Sequence, residues 1–168
     1  DVIPTEGRKL EKCFDRLLYR TPGQSPTAEK MHRDEALFAL DKDDVFGGWV
    51  NLDNVSQTFS CCPRTHKMVS ANKGFAKIAK DNYDYYRRQN PKEGRPDGWV
   101  NIEIPPGACL IFYERLVHEV VSTKADRVMM RMFLGWRVTD ASTPLFGIHQ
   151  TTQWICDQGV PKIKAGQE

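Results

Sequence analysis

Long apolar runs are missing from this sequence, and so are several common signatures of catalysis. The most apolar stretch, Val128 to Trp136, is interrupted by Arg131. It is far shorter than the roughly 20 apolar residues that cross a bilayer as a helix. No CxxC pair is present, and the five cysteines (Cys13, Cys61, Cys62, Cys109 and Cys156) are odd in number, which argues against a zinc ribbon or finger. Cys61 and Cys62 are adjacent, so on a strand they point to opposite faces and make poor disulfide partners for each other. The thiols are therefore expected to be free and the compartment reducing, hence intracellular and cytoplasmic. There is no glycine loop to cradle phosphate, no GxSxG elbow and no HExxH helix. No signal peptide, lipidation motif or internal repeat is visible. The chain starts at Asp1 rather than Met, as a fragment or processed form would. A net charge of +2 is too small to point to a nucleic-acid or membrane partner.

What is present is ordinary for a globular protein: 40% apolar and 27% charged residues in 168 positions. That length suggests one domain with a real core. Residues 7–20 place Leu10, Phe14, Leu17 and Leu18 at spacings of three and four, which predicts a helix. Thr21 to Thr27 is turn-forming, with two prolines and a glycine. Strands are expected at Ala36 to Leu40, Phe46 to Leu52, Thr58 to Cys62, Trp99 to Ile104, Cys109 to Tyr113, Leu116 to Val121 and Arg127 to Val138. Phe75, Ile78, Ala79 and Tyr83 again sit at helical spacing, so a helix plus loop is expected at about residues 70–98. The resulting domain is mainly β, a jelly roll (double-stranded β-helix) with supporting α-helices. Residues 1–30 form a helix and linker, 31–138 the core with its helical insert, and 139–168 a tail packed on the surface.

Two short motifs carry chemistry. His32 and Asp34 stand two apart, so on a strand an imidazole and a carboxylate project to one face. Alone, HxD is a common accident, and a lone histidine at a strand end is more often structural. The conjunction changes the odds. His118 follows the turn and strand Pro105 to Tyr113, and Arg127 stands nine residues beyond it at the start of an apolar strand. Two histidines and a carboxylate make a facial triad that leaves three adjacent positions on iron open. A keto acid can take two and dioxygen the third, and an arginine fork suits the far carboxylate of a dicarboxylic keto acid.

The motifs HRD, FGGWVNLDNVSQTFSCCPRTHK, IPPGACLIFYERLVHEVVS and ADRVMMRMFLGWRV resemble the phytanoyl-CoA dioxygenase-like branch of the Fe(II)/2-oxoglutarate oxygenases. Trp49, Leu52 and Asp53 match that branch's second element, and Gly107 to Phe112 its strand before the distal histidine. The closing HEV with an arginine nine residues on is similar to the prolyl hydroxylases of the same superfamily. The resemblance runs from about residue 30 to about residue 138. It implies that His32, Asp34 and His118 bind Fe(II) and that Arg127 binds the distal carboxylate of 2-oxoglutarate. If the register shifts, Arg131, on the same face of the strand, is the clamp instead. The resemblance implies hydroxylation of a small-molecule or peptide substrate, with ascorbate as a possible reductant. It implies hydroxylation over halogenation because Asp34 fills the carboxylate position.

This chain departs from the pattern in the PGSH-like turn, where Arg64 and Thr65 replace Gly and Ser, and at Ala108, which stands where an acid is usual. A non-catalytic jelly-roll interaction or structural protein and a cupin-like metalloenzyme are the alternatives. His66 is expected to hold loop backbone and His149 to lie on the surface. One face of the strand bearing Trp49 and Asn51 should line the pocket. Tyr113 and Glu114 stand near His118, with core packing the default for Tyr113. The basic, tyrosine-rich insert reads as a solvated helix face or, less simply, as a substrate lid.

Overall fold

Alternating side-chain direction, rather than helical spacing, organises most of the regular structure among the described residues. The structure, a computed structural model, describes residues 3–24, 29–34, 40–69, 75–88, 98–119 and 125–144. Nine strands appear there: β1 (Lys9–Arg20), β2 (His32–Arg33), β3 (Asp44–Asn51), β4 (Gln57–Cys62), β5 (Ala76–Lys77), β6 (Val100–Ile104), β7 (Cys109–Tyr113), β8 (Val117–Glu119) and β9 (Met129–Thr139). One helix, α1 (Tyr83–Arg87), follows a 3₁₀ turn at Lys80–Asn82, and a second such turn spans Thr65–Met68.

The strands form two antiparallel sheets, ordered β1-β9-β3-β7 and β5-β2-β8-β4-β6, in a jelly roll. Trp49, Phe59, Cys61, Ile104, Phe112, Leu116 and Phe133 fill the space between them. A smaller cluster of Ile3, Phe46 and Val138 lies on the outer side of the first sheet. Gly48 lets β3 and β7 approach closely: a Cβ there would sit 2.3 Å from the Leu110 carbonyl oxygen. No helix among the described residues is long and apolar enough to cross a membrane.

Three expectations need correction or narrowing. The predicted helix over residues 7–20 is the edge strand β1, paired along its length with β9. The helical spacing mixes the two faces of the strand: Phe14 and Leu18 pack against the inner core, while Leu10 and Leu17 face solvent, so the step of three from Phe14 to Leu17 crosses from one face to the other. A bulge adds to the irregularity, since Lys12 pairs with Trp136 and Phe14 with Gly135, leaving Cys13 as an extra residue.

Among the described residues of the insert the one α-helix is the short α1, and Ala76–Lys77 is a strand against β2. The last strand begins at Met129, so Arg127 lies in the turn before it. The expected strand at Ala36 to Leu40 and most of the C-terminal tail, His149 and Cys156 included, lie outside the described residues. Cys13, Cys61, Cys62 and Cys109 are free.

Candidate metal centre

β2 and β8 are neighbours, and His32 pairs directly with His118. Directly opposed residues of an antiparallel pair project to one face, so both imidazoles leave the sheet on the same side. Asp34 follows β2 and its carboxylate lies between the rings. One oxygen, Oδ1, is 3.3 Å from His32 Nε2, and Oδ2 is 3.2 Å from His118 Nε2. The three ligand atoms all lie within 4.8 Å of one another, and no other such trio of His, Cys, Asp or Glu comes together among the described residues.

The remaining ring nitrogens are used for orientation. His32 Nδ1 is 2.7 Å from the Lys30 carbonyl oxygen, and His118 Nδ1 is 2.9 Å from that of Leu116. A carbonyl only accepts, so each Nδ1 carries a proton and donates it. In the neutral rings this leaves both Nε2 lone pairs aimed towards the Asp34 carboxylate, an arrangement that repels itself unless protons or a cation lie between. It is the donor set and outer hydrogen bonding of a histidine-rich divalent metal site. His32 and His118 are buried at 1% and 4% exposure, whereas the Asp34 side chain is 32% exposed, so the site opens on the aspartate side.

Burial pushes the Asp34 carboxyl up, but hydrogen bonds with His118 and His32 outweigh it and hold the group well below the usual carboxylate range. Burial opposes charge on His32, yet Asp34, the Lys30 carbonyl and Glu29 leave its pKa raised. Cys61 stands opposite His118 on β4 and is buried, which pushes its thiol up to about 12. It stays neutral and outside the donor trio.

Neighbouring side chains fix the shape of the centre. The rings of Phe59 and Phe112 lie 5.5 Å and 5.1 Å from His118, and that of Phe75 lies 5.0 Å from His32. Arg33, the middle residue of the HxD motif, points the other way and donates to the carbonyls of Thr65 (3.0 Å) and Arg115. Thr65 in turn accepts from Val117 N–H at 2.8 Å and donates to the Cys62 carbonyl. The residue after His32 and the residue before His118 are thereby tied to one turn. In that turn Arg64 has φ 67°, a left-handed conformation that a glycine adopts freely and an arginine does not. Sequence reasoning left Arg33 and Thr65 without a role. Position inside the motifs was the available signal, whereas nothing in the sequence marks Phe75 or Glu29.

The two candidate clamps differ sharply. Arg127 donates to Asp126 at 2.8 Å, and its Nε lies 3.9 Å from Asp53 Oδ2. Its fork already faces carboxylates of its own chain. Arg131 pairs across β9 with Asn51 on β3 and Leu18 on β1, and its guanidinium sits 5.3 Å over the Trp49 ring. Among the described residues it has no hydrogen-bond or ion-pair partner. Burial, then Arg20 and Arg16, push it down to about 10, which leaves it charged at neutral pH. The acid that favours its charge is Glu29, which also lies 3.9 Å from His32. Glu29 thus acts electrostatically on both Arg131 and His32.

Other expected residues lie elsewhere. Asn51 is on the inner face but engaged by Gln57 and the Val55 and Ile104 carbonyls. Tyr113 stacks on His66 at 4.6 Å and packs at a tilt against Phe46, so it belongs to packing, and the contact seen for His66 is this ring stacking. Glu114 is buried against Gly47. In the insert, Arg87 makes a bidentate pair with Glu119 and lies over Trp99.

No family's sequence profile matches the chain, and no curated protein does. Solved structures do share its fold. The non-heme alpha ketoglutarate dependent carbocyclase SnoK from nogalamycin biosynthesis superposes with a TM-score of 0.60 at 19% identity, over 88% of this chain and 57% of SnoK. The epimerase SnoN, in complex with Fe3+, alpha ketoglutarate and nogalamycin RO, gives 0.54 at 14% identity, over 95% of this chain and 59% of SnoN. A second SnoN structure gives 0.52 at 17% identity, over 80% and 51%. The chain thus spans little more than half the length of these proteins.

Proposed function

We propose that the protein is an Fe(II)- and 2-oxoglutarate-dependent oxygenase that hydroxylates an unactivated C–H bond of its substrate. The observation that carries this reading is the meeting of His32 Nε2, His118 Nε2 and the Asp34 carboxylate within 4.8 Å. These residues come from separate parts of the chain, with both rings oriented from behind by backbone carbonyls. The fold shared with alpha ketoglutarate dependent SnoK and SnoN supports it.

In this reading His32, Asp34 and His118 hold the metal by one face and leave the other positions to ligands. Bound iron supplies the activation of dioxygen, with 2-oxoglutarate giving up two electrons and leaving as succinate and carbon dioxide while the substrate gains a hydroxyl. Arg131 grips the distal carboxylate of 2-oxoglutarate. It is half-buried, charged and without a hydrogen-bond or ion-pair partner among the described residues, and Glu29 acts on its charge as it does on that of His32. Arg127, paired with Asp126 and near Asp53, holds the turn that leads into β9. Phe59, Phe112 and Phe75 exclude water from the rings of the two histidines. Ascorbate would serve to keep the iron reduced.

The test is anaerobic titration with Fe(II) and 2-oxoglutarate. A visible charge-transfer band that needs both components is expected, together with succinate release once oxygen is admitted. Neither should survive His118→Ala. A parent protein that binds no iron and yields no band sinks the reading.

A further inference from the structure

The inner face of β1 carries more positive charge than one cosubstrate can use. Leu18 lies directly opposite Arg131, with Arg16 and Arg20 two positions to either side of it on the same face. Diagonal neighbours of this kind stand about 7–8 Å apart across a strand pair, within reach of long side chains. The Arg16 guanidinium lies 5.0 Å over the ring of Phe133, itself part of the core between the sheets. Arg16 is exposed, yet its guanidinium lies over a ring of the core rather than out in solvent away from the sheet. Among the described residues neither Arg16 nor Arg20 has a hydrogen-bond or ion-pair partner. The acids of β1 do not serve them: Asp15 pairs with Lys12, and Glu11 with Arg137 at the far end of the strand. Three guanidiniums thus share one face of the β1–β9 pair, with the exposed Glu29 as the nearby acid.

We infer that Arg16 and Arg20 form a second anion-binding wall beside Arg131, and that the substrate carries an acidic oxygen group, a carboxylate or a phosphate, which this wall grips while the rest of the molecule reaches the metal centre. The inference rests on the oxygenase reading for its account of Arg131. A planar fork with no partner of its own is the donor best suited to such groups. Because the wall stands at an open edge strand, it acts at the mouth, where it orients a substrate as it enters.

The test uses the protein loaded with zinc in place of iron and saturated with 2-oxoglutarate. It is titrated separately with inorganic phosphate and with acetate while the arginine Nε–H resonances are followed by NMR. Saturable shifts confined to Arg16 and Arg20 are expected, with the tighter anion naming the acid group. The double variant Arg16→Gln/Arg20→Gln should weaken binding of that anion at least tenfold. Lys12→Gln, on the outer face of the same strand, should leave it unchanged and so controls for net charge. Equal anion binding by the double variant overturns the inference. So do shifts that appear only in protein free of 2-oxoglutarate and not in the saturated protein, which would assign both arginines to the cosubstrate. If zinc and 2-oxoglutarate fail to bind the parent at all, the oxygenase reading falls instead, and the anion titration of the metal-free protein still decides the role of the wall.

Discussion

Arg131 and Arg137 stand on the same inner face of β9, yet their surroundings are opposite. Arg137 is 4% exposed and satisfied: it donates to Glu11 at 2.8 Å and to the Pro144 carbonyl at 2.8 Å, with Asp43 at 3.8 Å. Asp43 is further held by the Thr139 hydroxyl at 2.5 Å. This network plugs one end of the jelly roll. At the other end Arg131, half-buried, has only the Trp49 ring among the described residues. A charge drawn partly out of water without a partner costs free energy, so evolution has a reason to remove it unless something binds there. The pair teaches that an arginine's residue type says little, and that its unmet hydrogen bonds separate scaffold from site.

The comparison can be broken by substitution. The largest effect is expected at the plugged end: Arg137→Ala leaves Glu11 and Asp43 buried without their cation, and should cost about 3–5 kcal/mol in urea unfolding. An unchanged midpoint would make the network ornamental. Next comes the metal centre. Zinc or cobalt at a hundredfold excess over its dissociation constant should stabilise the parent by about 2.7 kcal/mol, and His118→Ala should remove that gain when both are melted with and without metal.

Arg131→Met should lower 2-oxoglutarate affinity by about ten- to a hundredfold, the loss of about 1.5–3 kcal/mol in charge-assisted hydrogen bonding. Its urea midpoint should stay level or rise, the reverse of Arg137→Ala. The smallest effect belongs to Arg127→Gln, a partly exposed pair worth less than about 1 kcal/mol, with 2-oxoglutarate affinity within about twofold of the parent by calorimetry. A larger loss at Arg127 than at Arg131 would exchange their roles.

Much of this arrangement was readable from residues alone. The strands at β3, β4, β6 and β7 follow the β-branched and aromatic runs with Pro and Gly at their ends, because burial on one face of a pleated sheet leaves that pattern. His32, Asp34 and His118 could be grouped because HxD and a late histidine before an arginine-bearing strand recur together. β1 was not readable, since Leu10 and Leu17 on its solvent face interleave with the inward Phe14 and Leu18 to give an apparent helical period. Nor was the choice between Arg127 and Arg131. It depends on where β9 starts and on whether Asp53 and Asp126 already face the guanidinium, and both are facts of tertiary contact. Arg33 hid in plain view, because the middle position of a ligand motif invites no attention until its backbone partners are seen.

The cross-strand partnership of His32 and His118 has a consequence for folding. β2 is only two residues long, and its pairing with β8 rests on that single pair. A slip of either strand by one residue would turn its imidazole to the opposite side of the sheet. An ion gripping both rings therefore acts as a proofreader of strand alignment: only the correctly registered sheet can hold it, and each bound ion draws the population towards that alignment.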